Sequence, residues 1–186
     1  EQIVMEFWDI YDINKKKTGR TTPRLKCKLE KGEYHIIVNA IIINSKGKIL
    51  ISKRASYKPY GLMWELSGGS ITVGETSIEG MIRELKEELG IKFEENEGIL
   101  YKTVRRDDPP ADFKDLCLFR KDVDLKEITF PDGEAIDAKW VTIDEFASMV
   151  VNKEIIVPRA VKASSVSPPA VSTNARTEVI CLPSSY

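Results

Sequence analysis

This chain has little histidine, little cysteine and no long apolar run. One histidine, His35, stands in 186 residues, so a metal centre built from several imidazoles is excluded. The three cysteines, Cys27, Cys117 and Cys181, are scattered and odd in number. They show neither the paired spacing of a zinc site nor a disulfide framework, and read as isolated thiols of a reducing cytosol. No apolar stretch approaches the roughly 18 residues that span a bilayer. No leader peptide is legible, although the chain begins without Met, as a trimmed chain would. The expectation is a cytoplasmic protein with no membrane partner. A formal net charge of -1 gives no general attraction to nucleic acid polymers or anionic membranes. No internal repeat is present. With 42% hydrophobic and 31% charged residues, the composition is that of an ordinary globular protein. A length of 186 residues favours one domain with extensions.

The densest run of chemically loaded residues is Gly69 to Ile91. A glycine-rich turn (Gly68, Gly69, Gly74) leads into a helix. Thr76 is placed to cap it, and Glu79, three residues on, completes a capping box. Gly90 suits the left-handed residue that ends it. Ile78, Ile82, Leu85 and Leu89 fall on one stripe, the face expected to pack on a core. Glu84, Glu87 and Glu88 stand at i, i+3 and i+4 and converge on a separate face. Lys86 points elsewhere. Like charges so close are unfavourable unless a cation sits among them, and carboxylate oxygens suit Mg2+ or Mn2+, which also bind substrate phosphates. Glu75 before the helix and Arg83 within it can tie loop to helix through the guanidinium fork.

These residues resemble the Nudix box, G-x5-E-x7-R-E-U-x-E-E-x-G-U, where U is a bulky aliphatic. Gly69, Glu75, Arg83, Glu84, Leu85, Glu87, Glu88, Gly90 and Ile91 occupy its nine constrained positions at the right spacing. The resemblance implies a hydrolase that cleaves a diphosphate linked to another moiety with Mg2+ or Mn2+. It implies Glu84, Glu87 and Glu88 as metal ligands, joined by the Gly68 carbonyl, and Glu75 with Arg83 as a structural pair. It also implies a three-layer αβα sandwich with a mixed sheet. The strand and helix pattern alone leaves that architecture open against a simpler α+β arrangement.

The rest of the chain fits around this run. Residues 1–12 read as a strand, at an edge or shared with a partner subunit, which would suit a homodimer. Residues 14–24 read as a loop or hairpin, and Arg24 to Lys31 as a further short strand with Leu25, Cys27 and Leu29 on one side. Tyr34 to Asn44 is almost continuously apolar and β-branched, the pattern of a strand buried on both faces. His35, at its mouth, reads as a packed residue. Ser45-Lys46-Gly47 turns the chain into a returning strand that ends at Arg54, which by the resemblance reaches substrate phosphates. Trp64 anchors the approach to the box, with Ser67 where the family commonly has Pro. Thr72 stands where it frequently has an acid. Strands follow at Gly98 to Val104 and Phe113 to Val123. Glu134 precedes a strand ending in Trp140-Val141, and by the resemblance it binds metal or activates water, with Asp137 as its alternate. Thr142 and Glu145 cap a helix over Ile143 to Val150. The domain is expected to span 1–160, and 161–186 reads as a low-complexity tail, flexible, partner-bound or appended.

The expected function is metal-dependent hydrolysis of a diphosphate linkage in a nucleoside-diphosphate-linked or related small molecule. Two alternatives stay open. The region from Phe7 to Ile91 resembles the branch containing isopentenyl-diphosphate isomerase and its hydrolase-like relatives, although those isomerases use several histidines and a catalytic cysteine. A non-catalytic nucleotide sensor is the other.

Overall fold

The computed structural model describes residues 5–156. The expected tail and the first four residues lie outside them. In chain order the elements are β1 (Phe7–Tyr11), β2 (Lys17–Pro23), β3 (His35–Ile43), β4 (Ile49–Arg54), β5 (Trp64–Glu65), β6 (Gly68–Ser70), α1 (Ser77–Leu89), β7 (Gly98–Arg106), β8 (Asp112–Arg120), β9 (Ala135–Val141) and α2 (Ile143–Val151).

β1 and β2 form an antiparallel hairpin. The further strand expected over Arg24 to Lys31 does not form. Arg24 still bonds back to the Glu6 carbonyl at 2.9 Å, but there the partner strand runs out. The chain makes one tight turn at Arg24–Lys26, and Leu25 is left exposed. Alternating side chains do not make a strand where nothing pairs with the backbone and nothing covers the apolar face.

β3 is the centre of the molecule. Ile, Val and Ala fill it, and almost every residue is buried, as a strand covered on both faces requires. β8 lies parallel to it over nine paired positions, from His35 opposite Asp112 to Ile43 opposite Arg120. β7 extends that side, antiparallel to β8. On the other side β6 pairs with Ile37 to Asn39, and β4 meets β3 only at its far end. β4 then continues between β5 and β9. The sheet is therefore mixed, and it splays into two halves where β3 and β4 part.

The side chains of β4 show the layering. Leu50 belongs to the core shared with Met81, Leu85 and Leu89 of α1. Ile49 and Ile51 belong to the core shared with Phe146 and Met149 of α2. Alternate residues of a strand point to opposite faces, so the two helices cover opposite sides. This is the three-layer mixed-sheet sandwich that the Nudix resemblance implies. Burying Phe146 and Met149 contributes about 2 kcal/mol each.

Both predicted capping boxes form. Thr76 accepts from the Glu79 amide while Glu79 accepts from the Thr76 amide, and Thr142 and Glu145 do the same. Gly90 ends α1 with φ of 72°. The predicted stripe of α1 is shifted. Met81, Leu85 and Leu89 are fully buried, whereas Ile78 and Ile82 are only partly covered. A helix wedged between two half-sheets buries a wider arc than one lying on a single face, and Met81 falls in the added part.

His35 is buried and stacks on Trp8 with ring centroids 4.2 Å apart. Burial, helped by the charge of Arg106, lowers its pKa to about 4, so it is a neutral packed ring at neutral pH.

Candidate active site

The box loop is tied down before the helix begins. Arg83 reaches back from α1 to Glu75, Nε to Oε1 at 2.7 Å and Nη2 to Oε2 at 3.0 Å. Its Nη2 also donates to the Ser70 carbonyl at 3.1 Å. Glu75 in turn accepts from the Thr72 amide at 2.8 Å. Burial raises the Glu75 pKa, but the bonds from Arg83 and Thr72 outweigh it and the net shift is downward. Glu75 is thus a carboxylate held ionised by a forked cation. The expectation of a Glu75–Arg83 tie holds in the geometry.

Arg83 does more than that. Its Nη1 also donates to Glu84 at 2.9 Å and to Glu87 at 3.1 Å. The positive group among the three glutamates is therefore one that the sequence had seemed to spend on Glu75. Two of the carboxylates share its guanidinium, and the third points away.

That third group is Glu88. It is 4% exposed, and its Oε2 has no hydrogen-bond partner. Burial raises its pKa well above the ordinary value, and the neighbouring carboxylates of Glu65 and Glu84 push it further. Glu84 is raised too, first by burial, against the pull of Arg83. Glu87 is half exposed on the rim. The three side chains therefore do not converge equally as helical spacing alone suggested. Among the described residues no three His, Cys, Asp or Glu side chains are gathered closely enough to hold a metal ion.

The glycines before the helix are there for space. A Cβ on Gly69 would lie 2.3 Å from Cδ of Glu84, and one on Gly68 would lie 2.1 Å from the Val38 carbonyl oxygen. Only a residue without a side chain lets β6 lie between β3 and the glutamates. Ser67, in place of the family's Pro, meets Ser52 with their hydroxyls 3.1 Å apart, and its carbonyl accepts from the Ala40 amide at 2.8 Å.

Three residues around this cluster escaped the sequence reading. Glu65 is buried beside Glu88. Lys58 pairs with Glu134. Asp132 is held next to α1 by its amide, which donates to the Glu87 carbonyl at 3.2 Å. An acid inside the apolar segment from Leu62 to Leu66 was the available signal for Glu65. Lys58 and Asp132 carry none, because each sits in a loop of ordinary composition.

Arg54 lies at the end of β4. Its Nη1 donates to both oxygens of Glu65, at 2.9 and 2.7 Å, and its Nε to the Pro59 carbonyl at 2.9 Å. The resemblance implies that it reaches substrate phosphates; here its guanidinium clamps the Glu65 carboxylate. Glu134 sits just before β9, partly exposed, with its side chain on Lys58. Asp137 is exposed in β9 and bonds its neighbour Ala138. Glu134 is brought to the cluster through Lys58, whose charge also acts on Glu88. Asp137 is not.

Comparison with known proteins agrees with this geometry. The NUDIX domain profile matches residues 33–160. An uncharacterized Nudix hydrolase of Listeria monocytogenes is 36% identical over 154 residues, which cover 82% of this chain and 89% of that protein. A MutT protein from Methanosarcina mazei superposes with a TM-score of 0.51 at 28% identity, over 66% of this chain and 86% of its own. A Deinococcus radiodurans protein superposes with a TM-score of 0.62 over 81% of this chain and 91% of its own; at 20% identity this is a likeness of fold alone. A complete box, a glutamate-bearing helix wedged into a split mixed sheet, and relatives along most of the chain converge on one assignment: the chain belongs to the Nudix family, as a MutT-like pyrophosphohydrolase.

Proposed function

We propose that this chain hydrolyses the diphosphate linkage of a nucleoside-diphosphate-linked or related small molecule with Mg2+ or Mn2+, and that Glu84, Glu87, Glu88 and the Gly68 carbonyl would hold the cation once Glu84 and Glu87, now on Arg83, turn toward Glu88. One observation carries the reading. Glu88 is a carboxylate buried among other carboxylates, with an oxygen that no protein donor satisfies. Such an oxygen is unfavourable by itself. All-oxygen donor sets of this kind take hard divalent cations. The chemistry such a cation would supply is neutralisation of the diphosphate charge and acidification of the attacking water.

The chain's own residues do the rest. Arg83 fixes the rotamers of Glu84 and Glu87 while Glu75 fixes Arg83. Gly68 and Gly69 let β6 lie against β3 and the Glu84 carboxylate, where any side chain would clash. Arg54 and Lys58 add positive charge near the transferred group, Arg54 while holding Glu65. Water adds to one phosphorus, the bond from that phosphorus to the bridging oxygen breaks, and the other phosphate departs. Glu134, presented by Lys58, takes the proton from the attacking water. The isomerase alternative has no comparable support. Cys117, one of its candidate thiols, is buried and its pKa is pushed up to about 12 by that burial.

The test is a panel of nucleoside triphosphates, nucleotide sugars, dinucleotide polyphosphates, coenzyme A and isoprenyl diphosphates, with and without Mg2+ or Mn2+. Metal-dependent release of phosphate products is the expected result. Double-bond migration in isopentenyl diphosphate would establish the isomerase. Tight binding without turnover across the panel would establish the sensor.

A further inference from the structure

Proteins usually pair, cover or charge the free edges of their sheets, because an open row of backbone N–H and C=O groups recruits another strand. β7 closes the row β5-β4-β3-β8-β7, and among the described residues no strand pairs with its outer edge. It is nine residues long. Ile99, Leu100 and Tyr101 stand on it in succession, 58%, 47% and 39% exposed. Ile99 and Leu100 project to opposite faces, paired with Leu118 and Cys117 of β8, and Tyr101 is the extra residue of a bulge. Three large apolar side chains in a row at an open edge are what a monomer avoids and an interface uses.

Charge says what fits there. Just before the strand, Glu94 and Glu95 are exposed. Toward its other end stand Lys102 and the exposed Arg105. Arg106 is excluded from this count, because Asp112 holds it inside. The acidic lead and the basic end are complementary only to a strand running the other way. A parallel neighbour of the same sequence would set acid on acid. Arg105 now pairs with Asp107 at 3.0 Å, but that aspartate is largely exposed, and such a surface pair is worth little and is readily exchanged.

We propose that β7 is the homodimer edge of this protein. Two copies pair antiparallel through it and join their sheets into one. Ile99, Leu100 and Tyr101 lie at the middle, and Glu94 and Glu95 of each copy face Arg105 of the other. This is an isologous contact about a two-fold axis, in which one patch serves both partners, and its backbone bonding is that of strand addition to a sheet edge.

The experiment is sedimentation of the full chain across a concentration series. The expected result is a species of twice the chain mass that dissociates on dilution. Ile99→Lys should leave monomer throughout. Val151→Asp makes a comparable change at another exposed apolar residue, at the end of α2, and should leave the dimer intact. Arg105→Glu should weaken the dimer a few-fold, and adding Glu95→Arg should restore it. A chain that stays monomeric through the series overturns the proposal, as does a dimer that Ile99→Lys leaves unchanged. If Glu95→Arg fails to restore the Arg105→Glu chain, the antiparallel arrangement is rejected.

Discussion

The two helices begin alike and end in different work. Each opens on a threonine cap whose partner is a glutamate three residues on, and each lays apolar side chains on the same β4 strand from opposite sides. α2 buries only Phe146 and Met149. α1 buries Met81, Leu85, Leu89 and, with them, the carboxylate of Glu88. The cap and the stripe say where a helix goes. Chemistry shows in what is buried without a structural reason. Among the described residues, the buried side chains clustered with α2 are all apolar. On the α1 side a carboxylate is kept out of water at the expense of stability, the mark of a site whose needs differ from those of the fold.

The widest test of this contrast is Glu88→Gln. Hydrolysis should fall by at least about 10²-fold, because on the proposed mechanism a cation-binding oxygen is lost, while circular dichroism stays unchanged. The metal-free variant should also unfold at a higher temperature than the parent. The sign follows from the raised pKa. The unfolded Glu88 ionises near the ordinary 4.5, whereas the folded one holds its proton to higher pH. Above that ordinary value the folded chain binds more protons than the unfolded one, so stability falls as pH rises toward the folded pKa. The glutamine variant loses that slope. Equal pH profiles for the two metal-free chains would show that Glu88 is no burden, and the contrast with α2 would collapse.

Gly69→Ala comes next. The added methyl meets the Glu84 carboxylate, so a destabilisation of about 1–3 kcal/mol is expected from overpacking, together with lost turnover, measured by denaturant midpoint and phosphate release. Arg83→Ala removes a half-buried forked pair and the shared contact with Glu84 and Glu87. It should cost about 2 kcal/mol, and Arg83→Lys should recover little of it, since an ammonium lacks the fork. The smallest effect is the most discriminating. Thr76→Ala and Thr142→Ala each remove one cap and should each cost about 1 kcal/mol. Only the first should lower turnover, because only α1 carries the glutamates. Equal loss of activity from both would mean that the site senses global stability alone.

Much of this was legible from residue spacing. The capping boxes, the left-handed Gly90 and the long apolar β3 are local features, set by side chains a few positions apart. The Glu75–Arg83 tie was legible because both residues belong to one motif of constant spacing. β5 and β6 were not, being two and three residues long, too short for any periodicity. The supposed strand after Arg24 failed because pairing depends on where the partner strand stops. Glu65, Lys58 and Asp132 were missed because they reach the glutamates from three separate loops and strands.

The sequence by itself determined that a capped helix bearing Glu84, Glu87 and Glu88 follows a glycine turn, since cap, periodicity and glycine preference are all properties of short segments. Only the tertiary structure decided that these glutamates are unequal. Arg83 gathers Glu84 and Glu87 because the turn of the helix brings them to one guanidinium. Glu88 is turned inward against Glu65 because α1 is wedged where β3 and β4 part, and burial in that wedge is a property of the packed sheet, absent from any stretch of chain.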